Sequence, residues 1–395
     1  MKEQILHTPD GVRDIYNGEC KKKLILQERL HKVLLKYGYQ DIQTPTFEFF
    51  NIFSSEIGTT PSKDLYKFFD KDGNTLVLRP DFTPSVARSA AKYYLDDGMP
   101  AKLCYMGNTF INSNNYQGRL KENTQCGAEF IGDDSVSADA EILAMVVDSL
   151  KNAGLTKFQI SVGHAQFFAG LIKAAAISDD AEIELRNLIA NKNFFGVDEF
   201  IETLEIDDDL KHLFHMLGNF DSKVEEISDA KNYAKNYPMI LSSIKALEEL
   251  DQMLKLYDID NYVSYELGLI SNYHYYTGII FAGYTLGTGE PIVNGGRYDK
   301  LLQFFGKDAP AIGFAIVVDQ LLSALSRQKI EIQALTDTNL IVYSEASMKE
   351  AIAKATELRM KGHQVTLLKR NKSKKEEDYE SYALQNQIED IMYMN

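Results

Sequence analysis

The chain has 395 residues, of which 45% are hydrophobic and 25% charged, a composition typical of a folded protein with two or three domains. Its formal net charge of −15 argues against broad nucleic-acid binding, because contacts to phosphate need Lys and Arg. No apolar run approaches the roughly 18 residues that span a bilayer, and the first residues, MKEQILHTPDGVRD, include no apolar signal region. These features argue against a membrane protein and predict a cytoplasmic one.

The cysteines and glycines match none of the common metal or cofactor motifs. Cys20, Cys104 and Cys126 stand far apart, without a CxxC pair or a His-Cys cluster. Neither a GxGxxG fingerprint nor a P-loop, GxSxG or HExxH motif occurs. The sequence therefore predicts buried free thiols, no metal site and no bound cofactor.

The first part of the chain mixes helical and strand patterns. Residues 20–38 carry apolar residues at helical spacing and end at Gly38, which predicts a helix. The later patterns predict, in order, a short strand in YQDIQTPTFE, two strands around the turn KDGN, a helix from Asp81 to Tyr94, strands in AKLCYMGNTF and NTQCGAEFIG joined by the loop NSNNYQGRLKE, and an amphipathic helix in DSVSADAEILAMVVDSLKNAG. We expect Ser137 to cap the start of that last helix and Gly154 to end it.

The rest of the chain predicts a helical insertion, more strands and a small second domain. A strand at Lys157–Gly163 precedes residues 165–258, which are mostly helical, and strand patterns return in NYVSYELGLI, YHYYTGIIFAGY, PIVNGG and the strand–helix segment PAIGFAIVVDQLLSALSR. After a polar stretch at 326–338, NLIVYSE, MKEAIAKATELRMKG and HQVTLL form a β-α-β pattern, and the charge run Lys369–Asp378 predicts a solvated loop. Hairpins with helices between them indicate an α+β core on an antiparallel sheet at residues 1–328, followed by a small α/β domain at 335–395.

Polar residues on two strands could line a ligand site. Asp81 and Thr83 follow a strand directly, where they can hold an ammonium group or simply cap the next helix. Gln125 and Glu129 are four apart and share a strand face, which lines either a polar cleft or an ordinary solvent-facing side of the sheet.

A tyrosine cluster precedes a glycine-rich segment. Tyr273, Tyr275 and Tyr276 can clamp a flat ligand that forms hydrogen bonds, or can pack in the core, and His274 has no nucleophile beside it that would indicate a general base. Further along, Gly295-Gly296 and Gly313 indicate close approach of other groups, and Arg297 and Asp299 are candidates for an ion pair.

The ordered set of motifs resembles the histidyl-tRNA synthetases. The motifs are HTPDGVRDI, YGYQDIQTPTFE, LRPDFTPSVAR, GRLKENTQCGAEFIG, YYTGIIF, GGRYDKLLQFFG and PAIGFAI, and they cover about residues 5–325. The resemblance implies the class II synthetase fold, an antiparallel sheet flanked by helices, usually in a dimer. YQDIQTPTFE is similar to the dimer-interface motif of that class.

Three arginines that this family uses to bind ATP are replaced. The FRxE segment matches Phe110 to Ser113, so that Ile111 takes the place of its arginine. In the same comparison Ser271 replaces the arginine of RGLDYY, and Gln320 replaces the arginine of GLERL. Because an apolar or neutral side chain cannot supply a cation to phosphate, the resemblance implies loss of amino-acid activation.

The amino-acid side of the pocket matches the family. By resemblance, Asp81 and Thr83 hold the α-amino group of histidine, and Glu129 and Tyr275 contact its imidazole. Gln125 matches a further contact to the amino acid. Tyr276 and Tyr298 match further pocket residues.

A synthetase fold without these arginines resembles a paralogous branch, the regulatory subunits of ATP phosphoribosyltransferase. This resemblance implies a non-catalytic chain that pairs with a short-form catalytic subunit, as a homodimer within a hetero-octamer, in the first step of histidine biosynthesis. It also implies histidine as a feedback effector. The C-terminal domain resembles a truncated anticodon-binding domain, which makes tRNA binding unexpected. An active histidyl-tRNA synthetase-like ligase and a stand-alone histidine-binding module stay open as alternatives.

Overall fold

The computed structural model describes residues 6–53, 60–94, 98–112, 120–270, 275–333 and 338–395. The chain forms two compact units, one of Met1–Arg13 with Leu26–Glu331 and the other of Asp14–Ile25 with Ile332–Asn395. The domain boundaries expected from the sequence, 1–328 and 335–395, stay a prediction.

The described residues form fourteen strands and twelve α-helices. The strands are β1 (Gln40–Asp41), β2 (Phe47–Phe49), β3 (Lys67–Phe69), β4 (Thr75–Leu78), β5 (Ala101–Phe110), β6 (Glu122–Ile131), β7 (Phe158–His164), β8 (Val263–Tyr265), β9 (Ile279–Thr285), β10 (Val293–Arg297), β11 (Ala311–Val317), β12 (Thr338–Tyr343), β13 (Gln364–Lys369) and β14 (Asp390–Met394). The helices are α1 (Asn17–Lys36), α2 (Thr83–Tyr93), α3 (Val136–Ala153), α4 (Ala165–Ala174), α5 (Asp179–Ala190), α6 (Phe194–Glu202), α7 (Asp208–His215), α8 (Val224–Ser228), α9 (Pro238–Leu256), α10 (Val318–Arg327), α11 (Met348–Met360) and α12 (Glu376–Gln385). No helix in these ranges is long and apolar enough to cross a bilayer.

The first unit is built on an eight-stranded sheet in the order β1-β5-β6-β11-β10-β9-β7-β8. Its five inner pairings are antiparallel, whereas the outermost pairs, β1 with β5 and β7 with β8, are parallel. The antiparallel sheet with flanking helices that the sequence predicts is confirmed, with parallel pairing added at each end. The β5–β6 hairpin has the longest ladder, from Ala101 opposite Ile131 to Phe110 opposite Glu122.

The N-cap of helix α3 lies two residues before the predicted one. The prediction of Ser137 as the N-cap is wrong, because Ser135 has the extended backbone of a cap and its side chain accepts a hydrogen bond from Ala138 N. The backbone N of Ser135 donates a hydrogen bond to the carboxylate of Asp133 at 2.8 Å. The end of the helix at Gly154 is as predicted, with a left-handed φ of 107°.

A smaller antiparallel sheet, β2-β4-β3, has two different faces. Val77 of β4 packs on one side with Phe53 and Leu65. The opposite side carries Phe47 and Phe49 of β2, which are 52% and 56% exposed. Phe49 and Phe68 of β3 both pair with Leu76, and directly paired residues share a face, so Phe68 lies on this side as well.

The second unit contains a parallel sheet in the order β13-β12-β14, which includes the predicted β-α-β pattern. The prediction of a loop through Asp378 is wrong at its end, because α12 begins at Glu376. The Asp378 carboxylate accepts a hydrogen bond from Lys375 N at 2.8 Å, and acidic residues in a first turn favour a helix start. Helix α12 and strand β14 were not expected from the sequence.

Candidate ligand site

The candidate ligand site lies across three neighbouring strands of the main sheet. Register pairs Glu129 of β6 with Gly313 of β11, and Gly313 with Gly296 of β10. A Cβ added at Gly313 would stand 1.7 Å from Oε2 of Glu129, and one at Gly296 would stand 2.8 Å from the ring of Tyr276. The close approaches predicted at these glycines are therefore confirmed, and at Gly313 the approaching group is a carboxylate.

Glu129 is the most buried acid in the site, with 1% of its surface exposed. The Thr83 hydroxyl donates to its Oε1 at 2.9 Å, and the Tyr298 hydroxyl donates to its Oε2 at 2.7 Å. The Tyr105 hydroxyl lies 3.4 Å from Oε1. Burial raises the pKa of Glu129 to about 8, although the hydrogen bonds from Tyr298 and Thr83 oppose the shift. At neutral pH the unliganded site therefore holds a proton on this carboxyl group.

Asp81 supplies a second buried carboxylate. Its Oδ1 accepts hydrogen bonds from the backbone N of Phe82 at 2.7 Å and of Thr83 at 3.4 Å. Burial raises the pKa of Asp81 to about 6, so at pH 7 the group is mainly ionised. The carboxylate therefore braces the start of α2 and also lines the cavity, and its role in holding an ammonium group stays a prediction.

Three tyrosines form one wall of the cavity. The rings of Tyr275 and Tyr276 meet edge to face at 4.8 Å between centroids, and Tyr275 meets Tyr298 at 5.7 Å. Tyr298 belongs to the buried core, and the other two pack against it, so they contribute to packing as well as to the site. Thr277 fixes this segment, because its hydroxyl donates to Asp299 Oδ2 at 2.6 Å.

The cavity combines acidic, amide and phenol groups. Its lining consists of Asp81, Thr83, Gln125, Glu129, Tyr275, Tyr276, Asn294, Gly296, Tyr298, Gly313, Phe314, Ala315 and Val317. All seven predicted site residues are thus brought together. Among the described residues, the lining contains no Lys or Arg, and Oε1 of Gln125 is buried without a hydrogen-bond partner. Such a site favours a small ligand with positive charge and hydrogen-bond donors over a phosphate group.

The sequence interpretation missed several residues that shape the site. Tyr105 pairs with Gly127, so it shares the sheet face of Gln125 and Glu129, and its hydroxyl lies beside the Glu129 carboxyl group. Asn294 and Phe314 also line the cavity. Strand alternation in AKLCYMGNTF was the available signal for Tyr105, once the register of the hairpin is known.

The predicted pair between Arg297 and Asp299 exists but is secondary. Arg297 Nη1 lies 3.5 Å from Asp299 Oδ1, whereas Nε and Nη2 donate to Asp139 Oδ1 at 2.8 and 2.6 Å. Arg297 also donates to the backbone oxygens of Asp133 and Ser135. This buried network ties β10, beside Tyr298, to the start of α3.

Two of the three positions that the resemblance aligns with family arginines are described. Ile111 is half-buried, and its backbone N donates to Lys121 O at 2.8 Å. Gln320 donates to Glu290 Oε2 at 3.1 Å. Ser271, with Tyr273 and His274, lies outside the described residues, as do Ser113 and most of the predicted loop NSNNYQGRLKE.

Comparisons with known proteins agree with this geometry. A family model described as histidyl-tRNA synthetase matches residues 11–321. The chain is 39% identical to an ATP phosphoribosyltransferase regulatory subunit from Acetivibrio thermocellus, over 92% of this chain and 86% of the relative. It is 38% identical to one from Ruminiclostridium cellulolyticum, over 91% of this chain and 85% of the relative.

Solved structures give the same result. A protein described as an ATP phosphoribosyltransferase regulatory subunit/histidyl-tRNA synthetase from Bacillus halodurans has a TM-score of 0.87 at 29% identity, covering 99% of both chains. A histidyl-tRNA synthetase from Nostoc, 19% identical, shares the fold with a TM-score of 0.79 over 97% of this chain and 90% of that one. The sheet and its flanking helices are therefore a class II synthetase fold. The chain belongs to the histidyl-tRNA synthetase family and, within it, to the ATP phosphoribosyltransferase regulatory subunits.

Proposed function

We propose that this chain is a non-catalytic regulatory subunit of ATP phosphoribosyltransferase that senses histidine at the candidate ligand site. The observation that carries the proposal is the cavity, where two buried carboxylates face a lining that has no Lys or Arg among the described residues. Its charge suits an ammonium group and an imidazole, and does not suit a triphosphate.

The ammonium group and the imidazole of histidine each have a matching partner in the cavity. The ionised Asp81 attracts the α-ammonium group, while the oxygens of Thr83 and of Gln125, whose Oε1 is otherwise unpaired, accept its hydrogen bonds. Glu129 and Tyr275 contact the imidazole, and Tyr276 and Tyr298 complete the pocket. Because Glu129 carries a proton when the site is empty, it can pass that proton to the ring and form a carboxylate–imidazolium pair.

In this proposal the chain lacks the arginines with which a synthetase binds ATP. Ile111, Ser271 and Gln320 replace the arginines that bind ATP in the family. Removing one preorganised donor from a transition-state site costs roughly 3 to 4 kcal/mol. Three such losses leave no useful rate of adenylate formation.

The regulatory role requires a partner. We infer that the chain activates a short-form catalytic subunit, which transfers the phosphoribosyl group to ATP in the first step of histidine biosynthesis. The assembly is a hetero-octamer of four chains of each kind. Histidine inhibits it by binding the inactive assembly more tightly than the active one, because a ligand shifts an equilibrium only by its difference in affinity.

The homodimer within this assembly has a candidate interface on the β2-β4-β3 sheet. Phe47 lies in the segment that resembles the dimer-interface motif, and Phe47, Phe49 and Phe68 form one exposed aromatic face. Exposed apolar patches of this kind typically mark contact surfaces. A second copy of the chain is the occupant that we propose for it.

The second unit and the location of the protein complete the proposal. The parallel sheet with α11 and α12 is interpreted as a truncated relative of an anticodon-binding domain, with no expected role in binding tRNA. A cytoplasmic location remains the prediction made from the sequence.

ATP–pyrophosphate exchange, run beside co-purification, tests this function. We expect no exchange with histidine, and retention of a short-form catalytic subunit by the tagged chain. Measurable exchange would instead make the chain an active ligase. Histidine binding without exchange and without retention of the catalytic subunit would make it a stand-alone binding module.

A further inference from the structure

Three side chains that can ligate a metal converge within the first unit, on the sheet face opposite the candidate ligand site. They are His31 of α1, Asp41 of β1 and Cys104 of β5, and their ligand atoms all lie within 4.8 Å of one another. Asp41 and Cys104 are register partners in the parallel pair β1–β5, so their side chains leave the sheet on the same face. Glu129 pairs with Leu103, the residue before Cys104, and therefore lies on the other face.

One of the two contacts in this cluster already has the spacing of a tetrahedral zinc site, and the other needs a small adjustment. Zinc binds nitrogen and oxygen at about 2.0 to 2.2 Å and sulfur at about 2.3 Å, which puts neighbouring ligand atoms roughly 3.3 to 3.7 Å apart. Cys104 Sγ is 3.5 Å from Asp41 Oδ1, within that range. His31 Nε2 is 2.6 Å from the same oxygen, so a rotamer adjustment of about 1 Å opens the space for an ion.

The charges also favour a divalent cation. A thiolate, a carboxylate and a neutral imidazole carry two negative charges together, which one Zn²⁺ neutralises. A nucleophilic cysteine would need the imidazole beside its sulfur, but here the carboxylate of Asp41 lies between the two. Cys104 is buried, whereas the side chains of His31 and Asp41 are 36% and 63% exposed, which leaves a route for the ion from solvent.

We propose that His31, Asp41 and Cys104 form a Zn²⁺ site with one open coordination position. Three protein ligands leave the fourth corner of the tetrahedron to water or another small donor. The bound ion would join α1 to the β1 edge of the sheet. The sequence predicted no metal because the three ligands come from separate segments without a recognisable spacing. The proposal does not depend on the proposed function.

Titration of the metal-free full-length chain with Co²⁺, followed by displacement with Zn²⁺, tests the site. We expect one equivalent of Co²⁺ to bind and to give thiolate-to-cobalt charge-transfer absorption, which Zn²⁺ then removes. Cys104→Ser should lose that absorption, and Cys20→Ser, at a cysteine of the other unit, should keep it.

A second variant keeps the site testable if Cys104→Ser does not fold. His31→Gln changes a half-exposed side chain and should weaken Co²⁺ and Zn²⁺ binding at least about tenfold while the circular dichroism spectrum stays the same. Failure of the wild-type chain to bind either ion at one equivalent would overturn the proposal. Charge-transfer absorption that persists in Cys104→Ser, or affinity that is unchanged in His31→Gln, would also overturn it.

Discussion

Replacement of Glu129 by Gln should weaken histidine binding and leave the fold intact. The two side chains have nearly the same shape, and Gln keeps an acceptor for the Thr83 or Tyr298 hydroxyl. Gln cannot, however, give a proton to the imidazole or carry the negative charge that pairs with an imidazolium. The variant therefore removes one charge-assisted hydrogen bond to the ligand.

The size of the loss follows from the burial of this group. A hydrogen bond to a charged partner contributes about 1.5 to 3 kcal/mol, and each 1.4 kcal/mol is about a tenfold change in affinity. We expect the Kd for histidine to rise about 10- to 150-fold. The free energy of unfolding at pH 7 should not fall, because Gln is neutral in the folded state like the protonated Glu129 and, unlike Glu129, gains nothing by ionising in the unfolded chain.

Isothermal titration calorimetry with histidine measures the effect, and urea unfolding measures the stability. Glu122→Gln is the matched control, since it lies on the same strand but an odd number of residues from Glu129, on the opposite face. Its Kd should equal that of the wild type. An unchanged Kd in Glu129→Gln would refute the assignment of this carboxyl group to the imidazole.

Three further predictions follow from the same geometry. Histidine affinity should be highest between about pH 6.5 and 8. Above that range Glu129 loses its proton, and below it the free imidazole, with a pKa of about 6.5, gains one, so affinity falls by up to about tenfold per pH unit on either side. The fall should be steeper below about pH 6, where Asp81 also loses its charge. Calorimetry across pH checks this, and a flat profile contradicts it. The free energy of unfolding of the wild type without histidine should fall as the pH rises from 4.5 through about 8. The raised pKa of Glu129 means that the folded state keeps a proton that the unfolded state releases in this range. Glu129→Gln should flatten this slope in urea unfolding. Gly313→Ala should abolish histidine binding because its Cβ would overlap the Glu129 carboxylate, while Gly289→Ala, which meets open space, should bind like wild type. Equal affinities would contradict that claim.

Two phenylalanines on opposite faces of the β2-β4-β3 sheet allow a test of the proposed dimer interface. Phe49→Lys places a charge among the exposed phenylalanines and should shift the chain toward monomer in light scattering after gel filtration. Phe69→Lys is the control, because Phe69 follows Phe68 and points to the other face of the sheet. A dimer that persists in Phe49→Lys would exclude this face as the interface.

Much of the site could be predicted from the sequence because its residues lie on regular strands. Period-two alternation put Gln125 and Glu129 on one face, and Gly313 within a strand indicated a close neighbour. Motif order supplied the remaining pocket residues by resemblance. The structure adds the neighbour's identity, since register brings the Glu129 carboxylate directly over Gly313.

Local sequence patterns could not predict the contacts between distant segments of the chain. Asp139, the main partner of Arg297, stands 158 residues before it in the chain. The pairing of Asp41 with Cys104 depends on a parallel ladder of only two residues, which carries no sequence signal. The start of α12 was hidden because a charge run in a loop and the first turn of a capped helix have the same composition.

Reconstitution with a short-form ATP phosphoribosyltransferase catalytic subunit tests the central claim most directly. The formation of phosphoribosyl-ATP would be measured for the catalytic subunit alone, with this chain, and with this chain plus histidine. We expect activity to appear on addition of the chain, to fall when histidine is added, and to resist histidine in the complex that carries Glu129→Gln. Activity that does not depend on the chain, or inhibition by histidine that is the same with wild type and Glu129→Gln, would contradict the account.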